Sequence, residues 1–129
     1  MKLKNILIVV EDMERSRKFY EEIFGLKVVA DFTENVVMTQ GLALQTRKSW
    51  EKFTGKSIIF GGNNGELYFE ENNIDGFVKK LADYESIEYV HELITHDWGQ
   101  RVVRFYDPDG HMIEVGESME LVNKRNTIR

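Results

Sequence analysis

The sequence predicts an α+β fold of two related units, each a strand, a capped helix and further strands, closing around one shared cleft. Three observations carry that expectation. A short apolar strand followed by a capped helix occurs twice, at the start of the chain and again after the apolar-free break Gly61-Gly62-Asn63-Asn64-Gly65. Sliding the chain by 61 residues lays Asn5-Ile-Leu-Ile over Glu66-Leu-Tyr-Phe and Asp12-Met13 over Asn73-Ile74. A slide of 69 lays Gly41-Leu-Ala-Leu-Gln-Thr over Gly110-His-Met-Ile-Glu-Val. Neither unit would bury its sheet well alone.

Leu3–Val10 is short, apolar and β-branched, which predicts a strand. Asp12 is placed to cap a helix whose stripe is Met13, Ser16, Tyr20, Ile23 and Phe24. Gly25 stands where a left-handed residue ends it. Leu26–Phe32, Asn35–Thr39 and Gly41–Thr46 read as strands, and Arg47–Gly55 as a short helix or a lid-like loop. Past the break, Glu66–Glu70 is a strand, Asn73 caps a helix with Ile74, Phe77, Val78 and Leu81 on one face, and Glu88–Ile94 is another strand.

A loop, Thr95–Gln100, leads into a hairpin, RVVRFY–DPDG–HMIEVGE. Asp107, Pro108 and Gly110 fit the first, second and fourth places of a type I turn. With a four-residue loop the ladder closes at Tyr106 opposite His111, so Val103 faces Glu114, and Glu114 shares a face with Met112 and Phe105. A carboxylate in an apolar strand is costly unless paired, hydrogen-bonded or bound to a metal. The tail, residues 118–129, docks as a short helix or frays.

At 129 residues the chain reads as a single domain over 1–117, with module one at about 1–62 and module two at about 63–117. No apolar run reaches the ~20 residues of a membrane span, and no secretory cleavage site follows Met1, so a cytoplasmic location is expected. The absence of cysteine excludes disulfides, thiolate nucleophiles and Cys-ligated metals. A net charge of −5 argues against nucleic acid as partner. Gly61–Gly65 lacks the Lys and Ser/Thr of a phosphate loop.

The two slides match Asn5 with Glu66 and Gln45 with Glu114. A pseudo-twofold would bring these four polar groups to one cleft. Two carboxylates and two amides suit a hard divalent ion; equally, they make a polar floor that binds an organic ligand with no metal. Trp50, Phe53 and Trp98 are candidate walls of that site, and Arg101 and Arg104 candidate holders of an anionic group. His96-Asp97 is a candidate acid–base pair, against a solvent-facing turn, and His111 reads as structural.

Val10-Glu11-Asp12-Met13-Glu14-Arg15-Ser16 with Phe19-Tyr20, Phe24-Gly25-Leu26, and Trp98-Gly99-Gln100-Arg101 running into Tyr106–Glu114 together resemble the vicinal oxygen chelate superfamily. That superfamily holds glyoxalase I, bleomycin- and fosfomycin-resistance proteins and extradiol dioxygenases. The resemblance implies paired βαβββ modules, commonly a homodimer, and metal ligands from the first and last strands of each module: Asn5, Gln45, Glu66 and Glu114. Only Glu114 is the residue usually expected there; Asn5 and Glu66 stand where many metal-dependent members supply His. That disfavours ring-cleaving dioxygenase chemistry. Two readings follow. One is a small-molecule-binding protein without a tightly bound metal. The other is a metal-dependent lyase, isomerase or thiol transferase in which Glu66 and Glu114 act catalytically by holding Mg, Mn, Ni or Zn.

Overall fold

The computed structural model describes residues 1–128, and the side chains of residues 1–127. The chain divides into two compact units, one ending at Phe60 and the other starting at Gly61. Unit one runs β1 (Ile6–Val10), α1 (Met13–Phe24), β2 (Val28–Asp31), β3 (Asn35–Met38), β4 (Leu42–Thr46) and α2 (Arg47–Thr54). Unit two runs β5 (Glu66–Glu71), α3 (Ile74–Leu81), β6 (Tyr89–Thr95), β7 (Arg101–Tyr106), β8 (Met112–Glu117) and α4 (Met119–Ile128). Each unit is therefore βαβββ, with one further helix.

The two sheets share one topology. In the first the order is β1-β4-β3-β2 and in the second β5-β8-β7-β6. The first and last strands of each unit pair parallel, and all other pairs are antiparallel. One face of each sheet is covered by its own helix. Tyr20 and Ile23 of α1 are buried with Val10, Leu42 and Leu44 in unit one; in unit two Ile74, Phe77 and Leu81 of α3 are buried with Phe105, Ile113 and Val115. The Phe77 and Phe105 rings lie 6.2 Å apart, which fixes the odd-numbered residues of β7 on the helix side.

The caps form as the residue types dictate. Asp12 accepts from the Arg15 amide, Asn73 from the Gly76 amide, and Gly25 ends α1 at φ +69°. The region 47–55 is a helix, closed by Gly55, and the tail is helical from Met119. The first strand begins at Ile6, three residues later than the apolar run suggested, with Leu3 exposed ahead of it.

The hairpin register differs from expectation by one residue. Asp107 N donates to His111 O at 2.9 Å and Gly110 N to Asp107 O at 3.1 Å, so the loop is three residues, Pro108–Gly110, with Gly110 at φ +89°. Asp107 belongs to the ladder because its own carboxylate organises the turn: Oδ1 accepts from the Asp109 and His111 amides, both at 2.9 Å. Tyr106 thus pairs with Met112, and Arg104, not Val103, stands opposite Glu114. Phe105 lies on the helix face with Ile113, while Glu114 shares the helix-free face with Arg104.

Candidate functional site

The cross-strand register of unit two sets one row of polar side chains across the helix-free face of its sheet. His91 of β6 pairs with Arg104 of β7, Arg104 with Glu114 of β8, and Glu114 with Tyr68 of β5. Glu66, two residues before Tyr68, is on the same face. The guanidinium of Arg104 lies between the two acids. Nη2 donates to Glu114 Oε1 at 2.8 Å and Nε to Glu66 Oε2 at 3.2 Å, while Nη1 meets His91 Nε2 at 3.1 Å.

Glu114 is 7% exposed. Its burial, together with a hydrogen bond to Glu66, raises its pKa above the usual carboxylate value, although Arg104 pulls in the opposite direction. His91 Nδ1 lies 2.7 Å from the carbonyl oxygen of Glu92, which can only accept. The ring proton is therefore on Nδ1, and Nε2 accepts from Arg104.

Beyond Tyr68 the row continues into the loop before β7. Gln100 is buried, and three of its four side-chain hydrogen-bonding positions are directed: Oε1 accepts from Trp98 Nε1 at 2.9 Å, and Nε2 donates to Tyr68 Oη at 2.8 Å and to Glu117 O at 2.9 Å. Tyr68 Oη donates in turn to Glu70 at 2.8 Å. Burial, then the Glu70 bond, raises the pKa of this phenol. Trp98 is half exposed, its ring stacked 4.3 Å from that of His96.

The other candidates are placed as follows. Gln45 of β4 is buried, accepting from Asn35 Nδ2 at 2.7 Å and donating to Ser49 Oγ at 2.5 Å. Asn5 lies one residue outside the β1–β4 ladder, beside the level of Gly41. That is four residues, roughly 13 Å, from the level of Gln45. Glu66, opposite Met112, is only two residues from the level of Glu114. The second unit gathers its two polar groups and the first does not. Trp50 and Phe53 are on α2, half-buried and exposed respectively. Arg101 is on the helix side, held by Asp75 at 2.9 Å and Glu117 at 3.2 Å.

The resemblance implies a divalent ion at Glu66 and Glu114. As the side chains stand they fit a guanidinium instead: the two carboxylates meet different nitrogens of Arg104, at the place an ion would need. A second group of metal-type donors lies in the hairpin turn, where Asp107, Asp109 and His111 each offer an atom within 4.8 Å of the others. Asp107 is already engaged there by two amides and, at 2.7 Å, by His111 Nδ1.

Arg104 was legible as a cation but not as the partner of Glu114, and His91 was not singled out. A three-residue loop count would have put Arg104 opposite Glu114; nothing in the linear sequence places His91, because the β6–β7 ladder shifts register on both sides of it.

The glyoxalase-like domain family matches residues 3–120. Among solved structures, a protein of unknown function from Agrobacterium tumefaciens is 40% identical, covering 92% of this chain and 94% of its own at a TM-score of 0.80. A glyoxalase-related enzyme from Fulvimarina pelagi is 19% identical, covering 92% and 88%, with a TM-score of 0.78. Lactoylglutathione lyase from Agrobacterium tumefaciens is 21% identical, covering 90% and 92%, with a TM-score of 0.71. None of the curated proteins compared with the chain matches it significantly. The family match over nearly the whole chain and the repeated βαβββ units agree: the chain belongs to the glyoxalase-like domain family of the vicinal oxygen chelate superfamily.

Proposed function

We propose that the chain is a small-molecule-binding protein of the glyoxalase/bleomycin-resistance type that works without a tightly bound metal. The observation that carries this reading is Arg104, whose guanidinium bridges Glu66 and Glu114. A tethered cation satisfies both carboxylates, so an ion gains little by entering. The proposed ligand surface is the helix-free face of the second sheet, with Tyr68 and Trp98 as exposed aromatic groups. A homodimer is part of the proposal, and light scattering at tens of micromolar tests it.

The main test is metal response. Purified wild-type protein should carry no stoichiometric metal by elemental analysis. Its melting temperature should be unmoved by Mg²⁺, Mn²⁺, Ni²⁺, Zn²⁺ or a chelator. An ion bound through Glu66 and Glu114 would instead raise it, by roughly 10 °C at a hundredfold excess over Kd, and establish the metal-dependent lyase, isomerase or thiol transferase reading. Ligand binding is read from Trp98 emission in Trp50→Phe protein titrated with small aromatic and oxygenated compounds. A saturable change that Tyr68→Ala weakens supports the surface assigned here; a flat response across the panel counts against it.

A further inference from the structure

Three acceptors from three strands converge on the Arg104 guanidinium. Glu66 is supplied by β5, Glu114 by β8 and His91 by β6, and each meets a different nitrogen of the fork. The imidazole is prepared for this role from behind, because the Nδ1 proton is held by the Glu92 carbonyl and the Nε2 lone pair faces inward. Two carboxylates and a neutral imidazole are a donor set that borderline divalent ions accept. A backbone carbonyl on the far nitrogen is the support that metal-binding imidazoles commonly have. What fills this set is a side chain of the same sheet. Arg104 never leaves by diffusion, so its local concentration exceeds that of any free ion.

We propose that Arg104 is the specificity-determining residue of this site: Glu66, Glu114 and His91 form a divalent-cation donor set that the chain keeps closed to metal with its own guanidinium. The inference rests on the metal-free reading above and extends it, since it adds His91 to the set and assigns the exclusion to one residue. The three donors are at present spread around a planar fork instead of gathered on a point. With the fork removed, two neighbouring carboxylates lose their counter-charge, and a cation becomes the group that lets both stay ionised.

The experiment uses the full chain with Arg104→Ala, and Arg104→Met as a second variant that keeps the apolar stem should the first fold poorly. Each is equilibrated with Mn²⁺, Ni²⁺ or Zn²⁺ alone, passed through gel filtration, and analysed for metal content and melting temperature. The expected result is about one ion retained per chain and a rise of roughly 10 °C at a hundredfold excess over Kd. Adding Glu114→Gln or Glu66→Gln should abolish both effects, and adding His91→Ala should weaken retention. Folded Arg104 variants that take up no ion overturn the inference while leaving the metal-free reading intact. Uptake indifferent to Glu66, Glu114 and His91 overturns it as well, because the ion then sits elsewhere, as in the Asp107–Asp109–His111 turn. Wild-type protein that binds the ion through Glu66 and Glu114 overturns the metal-free reading itself.

Discussion

Gly116 leaves β8 bare where the Gln100 amide crosses it: a Cβ at position 116 would stand 2.5 Å from Gln100 Nε2 and 3.2 Å from Val102 Cγ1. The absent side chain makes room for the amide that joins Tyr68, Trp98 and the Glu117 carbonyl. Gly116→Ala must therefore push Gln100 aside, at a cost of about 1–3 kcal/mol. In Gln100→Ala protein the same substitution should cost at least about 1 kcal/mol less, because the obstructing amide is gone. Chemical denaturation of the four proteins of this cycle measures the difference, and additive effects would mean the amide is not what Gly116 accommodates.

Glu114 yields a pH prediction with a definite sign. Its folded-state pKa is raised, by burial first and then by Glu66, so the native protein holds this proton more tightly than the unfolded chain does. Such a group adds stability below the unfolded carboxylate value and loses it as pH rises through the folded-state value. Glu114→Gln should then melt at or above the wild-type temperature at pH 7 and show a flatter dependence between pH 4 and 7. A melting temperature several degrees below wild type at pH 7 would mean that the Arg104 pair outweighs the burial cost.

Glu117 has the opposite sign. Arg125 and then Arg101 pull its pKa down to about 2, with Arg125 at 2.8 and 3.0 Å and Arg101 at 3.2 Å. The stability it contributes is present above the unfolded carboxylate value and is lost as pH falls toward 2. Glu117→Gln should cost about 2 kcal/mol at pH 7, or about 6–8 °C. The variant should also lose less stability than wild type between pH 4.5 and 2. The ion pair with Arg125 also ties α4 to β8, and the Arg125 bond to the Gly99 carbonyl alone then holds it, so α4 should fray in this variant, with faster amide exchange from Met119 onward.

His111 titrates in the hairpin turn. Burial opposes its charge, but the hydrogen bond to Asp107 and the charges of Asp107 and Asp109 outweigh it, and the pKa is raised above 6.5. This contribution to stability is complete below the unfolded value and lost as pH rises through the folded one. Asp107→Asn should bring the His111 titration, followed by NMR, to or below 6.5, because burial is then opposed only by the charge of Asp109. A titration unchanged in Asp107→Asn would remove Asp107 as the cause.

Both units could be read from the sequence down to their caps, because Asp12, Gly25 and Asn73 act through neighbours three or four residues away. The DPDG turn was legible in type but not in length. Turn chemistry alone does not say whether Asp107 is the first loop residue or the last rung, and that single residue decides whether Glu114 meets Val103 or Arg104. Gln45 read as a cleft residue and candidate ligand because its partners, Asn35 from the adjacent strand and Ser49 four residues on, are set by tertiary pairing. Internal self-similarity brought Glu66 and Glu114 together only as two members of a four-residue cleft; the β5–β8 register sets them two residues apart in level on adjacent strands. The self-similarity overstated the match with Asn5 and Gln45, because the two parallel ladders are offset by two residues relative to the alignment.

In both units the parallel pair joins the first strand to the last, Val9 to Gln45 and Tyr68 to Glu114. A chain emerging from the ribosome therefore cannot complete either sheet until the end of that unit has been made. Loop closure over so many residues is the slow step of such a topology. The first sheet can close once Thr46 is clear, before β8 has been synthesised, so the order of birth separates two sheets of the same strand order. Until β8 arrives, β5 is an unpaired edge strand. Glu66 and Glu70 on one face and Glu71 on the other keep that nascent edge charged, which protects it from pairing with the strands of another copy during the wait.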